Sequence, residues 1–207
     1  MHIAPYDNKN TPIVDINDPI TPLIFFNIIK LKAGEHYQHQ LNNYESCLVP
    51  ATGSLDVSIG QWQASNVGGR GADVWDGEPN AVYVPVGMAA EITAGTDCEV
   101  FICGAKFDEV FEPFVVREQD IDPVQYGSDD TKTHRKIKHL LGQQPPGRVG
   151  RLLVSELYTV GQGGWSGFPP HKHDTDRLPM ESHHDEVNNF RFRPDHGFGM
   201  QLLQSKE

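Results

Sequence analysis

The sequence predicts an all-β protein of sandwich or barrel class, and two observations carry that prediction. Twenty glycines and fifteen prolines punctuate the 207 residues, and they separate short runs rich in β-branched and aromatic residues, the pattern of many strands joined by turns. The two halves of the chain also present related strand–turn–strand segments, as expected when one β unit is repeated.

Taken in order, residues 23–31 (LIFFNIIKL) read as a buried strand. Residues 45–49 and 54–59 read as two strands, with Ala51, Thr52 and Gly53 as a hairpin connection. The run NVGGRG at 66–71 reads as a plain glycine loop. A phosphate cradle would need a strand before it and a helix with a lysine after it, and neither is predicted. Residues 81–86, 89–93 and 98–104 complete a first series of strands, and 107–124 is mixed. Residues 128–141 carry an N-cap serine, early acids and later bases, so they read as a short helix or equally as a basic connector. The turn-forming QQPPGR at 143–148 marks a boundary, giving units 1–142 and 143–207. Residues 151–159 then alternate as a strand and lead into a stretch dense in histidine.

The net charge of −11 argues against a nucleic-acid binder, which would show a basic face, and against docking on an anionic membrane. Cys47, Cys98 and Cys103 are odd in number and lie in apolar contexts, which fits reduced core thiols rather than a disulfide framework. No basic, apolar leader opens the sequence, and no apolar run approaches the roughly 20 residues of a membrane span. The expectation is a soluble, cytoplasmic protein.

Within residues 164–192, His171, His173, Glu181, His183, His184 and Glu186 fall into sixteen positions behind a proline pair. Imidazole and carboxylate are the side chains that bind first-row metals and move protons at neutral pH. On a strand, residues two apart share a face at roughly 6.6 Å, so His171 and His173 can converge on one ion while Lys172 points away. Glu186 on the next strand is the expected third ligand, with Glu181 as second choice or as a base beside the metal. Adjacent His183 and His184 would face opposite ways and read as surface or loop residues. Asp174 and Asp176 read as turn-capping residues, His36 and His39 as solvated, and His134 and His139 as connector residues without partners.

In the first half, Gln40, Asn42 and Glu45 occupy places comparable with His171, His173 and Glu186, and PVGMAA at 85–90 follows forty residues on. This pattern resembles the cupin superfamily, whose motifs are a glycine, H-x-H and a glutamate, then P-x-G-x-x-H. By that resemblance the first half is a barrel without metal, because Gln40, Asn42 and Ala90 stand at the histidine positions.

WSGFPPHKHDTDRLPMES with the following acidic pair, R-F and GFG is similar to the signature of the 5-deoxy-glucuronate isomerase family of myo-inositol breakdown. CLVPATGSLDVSIG, VYVPVG and TDCEVFIC extend that resemblance over nearly the whole chain. It implies a two-domain cupin (bicupin) that converts 5-deoxy-glucuronate to 5-dehydro-2-deoxy-gluconate, an aldose–ketose isomerisation through an enediol. It further implies a divalent first-row metal (Zn, Mn or Fe) held by His171, His173 and Glu186; a homo-oligomer is expected because unpaired strand edges favour pairing with another chain. Glu181 and Glu186 become the expected catalytic carboxylates, and Lys172, Arg177 and Arg191 the cations for a substrate carboxylate, arginine giving the bidentate grip. The second P-x-G-x-x-H has no counterpart before Glu207; His196, in a turn, is the only later histidine, and Asn188 and Asn189 stand where the family has aromatics. The second barrel is therefore expected to be incomplete, and the alternative expectation is a truncated, non-catalytic remnant or sugar-acid-binding protein.

Overall fold

Strands buried on one face or on both build two facing sheets over residues 24–106, and the long third strand belongs to both of them. A computed structural model describes residues 9–161, 163–167, 171–194 and 196–202. The strands are β1 (Ile24–Leu31), β2 (His36–His39), β3 (Tyr44–Ile59), β4 (Trp62–Arg70), β5 (Ala81–Val84), β6 (Ala90–Ala94), β7 (Cys98–Lys106), β8 (Phe114–Val116), β9 (Val124–Tyr126), β10 (Arg135–Leu141) and β11 (Val154–Thr159). One sheet runs β1-β7-β3-β5-β8, while β2, β6 and β4 join through the far half of β3, and every described pairing is antiparallel. Between the sheets lie Phe25, Ile29, Leu48, Leu55, Val67, Ile92 and Ile102, the interior of an all-β barrel.

Residues 51–53, expected to connect two strands, instead lie inside β3. The strand bends there without breaking, with register shifts against β4 and β7. Gly53 makes the bend: its φ is +66°, and a Cβ would stand 2.3 Å from the Asp97 carbonyl oxygen. The expected glycine loop at 66–71 is likewise mostly strand. Gly68 (φ +111°) pairs with Ser54, and a Cβ on it would meet the Gly53 carbonyl oxygen at 2.5 Å. These glycines allow two backbones to approach where a side chain would hold them apart.

The helix or connector expected at 128–141 is corrected too. Ser128 Oγ does accept from Thr131 N–H at 3.4 Å, but only a turn follows, and Arg135–Leu141 is strand β10, flanked by β9 and β11. Burial explains the outcome. Leu140 and Leu141 are fully buried against Cys47, Tyr83 and Phe114 on the outer face of the barrel sheet, and tertiary packing overrides a weak local preference. The expected boundary at 142/143 falls in the turn from β10 to β11, two strands that pair directly with each other.

Glu45, aligned from sequence with a metal ligand, faces out of the barrel interior. Its carboxylate accepts the N–H groups of Gly150, Arg151 and Leu152 at 2.7–2.8 Å and the Tyr83 hydroxyl at 2.9 Å. It therefore ties the connector to the barrel. His39, expected to be solvated, is buried beside Phe25, and its Nε2 lies 2.9 Å from Ser46 Oγ. Burial pushes its pKa down to about 4. His36 is exposed and meets Thr93 Oγ1. His134 and His139, expected to lack partners, meet Asp129 Oδ1 and Ser155 Oγ. Cys47 and Cys103 are held protonated by burial, the latter up to about 12, consistent with core thiols.

Candidate functional site

Beyond β11 the described residues form no ladder strand, only the isolated bridge between Arg177 and Glu181. Backbone bonds close a turn there: Arg177 N–H to the Glu181 carbonyl at 2.8 Å and Met180 N–H to the Arg177 carbonyl at 2.9 Å. A second tie, from His184 N–H to the His173 carbonyl at 3.1 Å, brings residues 184–186 back beside 171–173. Sixteen residues of chain thus fold on themselves and gather the polar groups. The proline pair that precedes them lies outside the described residues.

His171, His173 and Glu186 come together: one ligand atom from each lies within 4.8 Å of the others. The two imidazole rings are 4.7 Å apart, and His173 Nδ1 stands 3.4 Å from a Glu186 oxygen. Ligands of one first-row ion at bond lengths of about 2.0–2.2 Å cannot be more than about 4.4 Å apart, so this donor set reaches an ion after a small side-chain rotation. His173 is partly buried, and desolvation first, then the neighbouring His184, lowers its pKa despite the opposing pull of Glu186. A neutral imidazole is the form that ligates a metal. His184, expected as a surface residue, is exposed but stacks on His173 at 3.8 Å between ring centroids, and sequence reasoning did not place it in the cluster.

The second carboxylate is engaged elsewhere. Glu181 accepts from Lys172 Nζ and from Arg177 Nε and Nη2, the latter two at 3.0 and 2.6 Å. Those bonds, Lys172 first, hold its pKa below the usual carboxylate value. Lys172 also reaches Asp174 and Thr175. Asp176 caps the turn by accepting His183 N–H at 2.7 Å, and His183 has no place in the metal cluster. Arg191, expected to meet substrate, instead bonds Glu99 of β7, reaches Asp73 at 3.4 Å, and lies over the Phe101 ring. His196 lies in the turn closed by Gly197 N–H and the Pro194 carbonyl, apart from the cluster.

The chain resembles known proteins along most of its length. It is 32% identical over 183 residues to the 5-deoxy-glucuronate isomerase of Bacillus subtilis strain 168, covering 88% of this chain and 66% of that protein. It is 33% identical over 201 residues to the enzyme of the same name from Listeria innocua, covering 95% and 72%. A crystal structure of an IolB-like protein from Salmonella typhimurium LT2 superposes with a TM-score of 0.68 at 27% identity, covering 78% of this chain and 59% of that one. The chain thus spans about two thirds of the length of these relatives. The sequence also matches the KduI/IolB family over residues 2–207, which takes in both the barrel and the histidine-rich segment; the chain belongs to the KduI/IolB family.

Proposed function

We propose that this chain acts as a 5-deoxy-glucuronate isomerase, an aldose–ketose isomerase of a sugar acid, with a divalent metal held by His171, His173 and Glu186. The convergence of two imidazoles and one carboxylate within 4.8 Å is the observation that carries the proposal, and the named relatives supply the substrate. Zinc, manganese and iron all suit this donor set. When bound, such an ion would polarise the carbonyl and stabilise the developing enediolate oxygen.

The remaining chemistry falls to the chain itself. Isomerisation requires a group that removes a proton from one carbon and returns it to the next. Glu181 is the carboxylate assigned here, kept ionised by Lys172 and Arg177. Those two cations already grip one carboxylate, so they can grip the substrate's by exchange with Glu181, which would release Glu181 to act as base. In this proposal residues 143–207 carry the ligands and residues 1–142 carry the metal-free barrel. Among the described residues the outer strand β11 pairs on one side only, an open edge suited to self-association.

Turnover of 5-deoxy-glucuronate by the purified protein, with and without added Mn, Zn or Fe, tests the reading alongside its metal content. Metal-dependent formation of the 2-deoxy ketose product is expected, with loss in His171→Ala and His173→Ala. Absence of both turnover and bound metal under all three ions would leave a sugar-acid-binding protein as the better description.

A further inference from the structure

Alternate residues of the segment that carries Glu186 are held by the barrel. Asp185 accepts the Leu23 N–H at 2.8 Å, just ahead of β1. Val187 packs against the cluster of Val14, Phe26 and Ile28 on the outer face of β1. Arg191 bonds Glu99 and Asp73 and covers the Phe101 ring. Arg193 reaches Asp76 at 3.1 Å. Positions 185, 187, 191 and 193 therefore face the barrel, whereas Glu186, Asn188, Phe190 and Phe192 do not enter these contacts. This is the period-two alternation of extended chain, achieved without a ladder partner.

Such an arrangement does more than hold a loop down. A lone extended segment has no hydrogen-bonded neighbours to fix which way each side chain points. Here the chain at Glu186 is held on both flanks, by Asp185 one residue before it and Val187 one residue after, and the Glu186 carboxylate accepts from Asn188 Nδ2 at 3.0 Å. The Arg191 guanidinium locks the far end through a bidentate-capable cation between two carboxylates, with Glu99 also paired to Lys30 at 3.3 Å.

We propose that Asp185 and Arg191 are positioning residues for Glu186, so that the outer face of the metal-free barrel sets the third ligand of the cluster. This inference rests on the metal-binding reading above. It also gives Arg191 a role in place of contact with substrate, because Glu99 and Asp73 already take up its charge.

Removal of outer groups that orient ligands costs about 10–100-fold in metal affinity, and Co2+ binding to the full chain, followed by its visible absorption and by calorimetry, reads that change. Arg191→Met and Asp185→Ala are each expected to weaken Co2+ binding by about tenfold or more and to alter the Co2+ spectrum. In the background of Glu186→Ala neither should weaken it further, because each acts through that carboxylate. The exchanged pair Glu99→Arg with Arg191→Glu should recover part of the affinity lost in Arg191→Glu alone. Unchanged binding in both Arg191→Met and Asp185→Ala, or losses equally large in the Glu186→Ala background, would overturn the inference. Failure of the unaltered chain to bind Co2+, or binding indifferent to His173→Ala, would instead overturn the metal reading itself. If Arg191→Met fails to fold, Asp185→Ala and the exchanged pair test the same coupling from the other end.

Discussion

His39 and the two carboxylates of the histidine-rich segment show how much single side chains decide here. In the fold His39 is neutral down to pH about 4, well below its ordinary 6.5. Between those values the unfolded chain binds a proton that the folded chain refuses, so stability is full above pH 6.5 and falls as pH drops towards 4. The total loss is about 3 kcal/mol, from 1.36 kcal/mol per pH unit. Urea unfolding at pH 7.5 and 4.5 should show this loss, and His39→Asn, which keeps a partner for Ser46 Oγ, should flatten it. Glu181 and Glu186, both proposed as ligands from sequence, differ in their company. Lys172 and Arg177 occupy Glu181, whereas Glu186 stands beside His173. Glu186→Gln is therefore expected to weaken Co2+ binding by roughly tenfold or more, while Glu181→Gln leaves it within about twofold; calorimetry distinguishes them.

At the scale of elements, β3 carries the barrel, and one glycine lets it do so. Gly53→Ala places a methyl against the Asp97 carbonyl oxygen in a left-handed backbone, which should cost at least about 1–3 kcal/mol and lower the urea midpoint. The strands of the barrel were legible in the sequence because burial leaves a direct trace, a continuous apolar run in β1 and β5 and period-two alternation in β6 and β7, and all four lie where the apolar runs predict them. Residues 51–53 and 66–70 were misread because glycine marks a turn and a close backbone approach alike, and only the partner strand tells which. β10 was misread for a related reason, since the capping serine and the charge order are local signals and the burial of Leu140 and Leu141 is not. At the candidate site, residue type and spacing group His171 and His173 with Glu186 or Glu181, and the structure brings Glu186 to the two histidines. The stacking of His184 and the outward turn of Arg191 could not, because both depend on a chain path that follows the barrel rather than a strand ladder.

On the scale of the whole molecule, Glu45 and the 185–193 segment join what the sequence divides. Glu45→Gln replaces one accepting oxygen with an amide that faces the N–H groups of residues 150–152. A loss of about 2–3 kcal/mol is expected for bonds to a buried charge, measurable as a lowered midpoint. The contacts of Asp185, Val187 and Arg191 with β1 and β7 have a thermodynamic counterpart. Free energy exchanged across them is reciprocal: if the barrel holds the cluster ready for an ion, a captured ion must tighten the barrel in return. Metal at a hundred times its dissociation constant adds about 2.7 kcal/mol to whatever folds with the site. Amide exchange at β1 and β7, remote in sequence from every histidine of the cluster, should then slow when metal is added. The barrel would report, in protons exchanged, an event that takes place outside it.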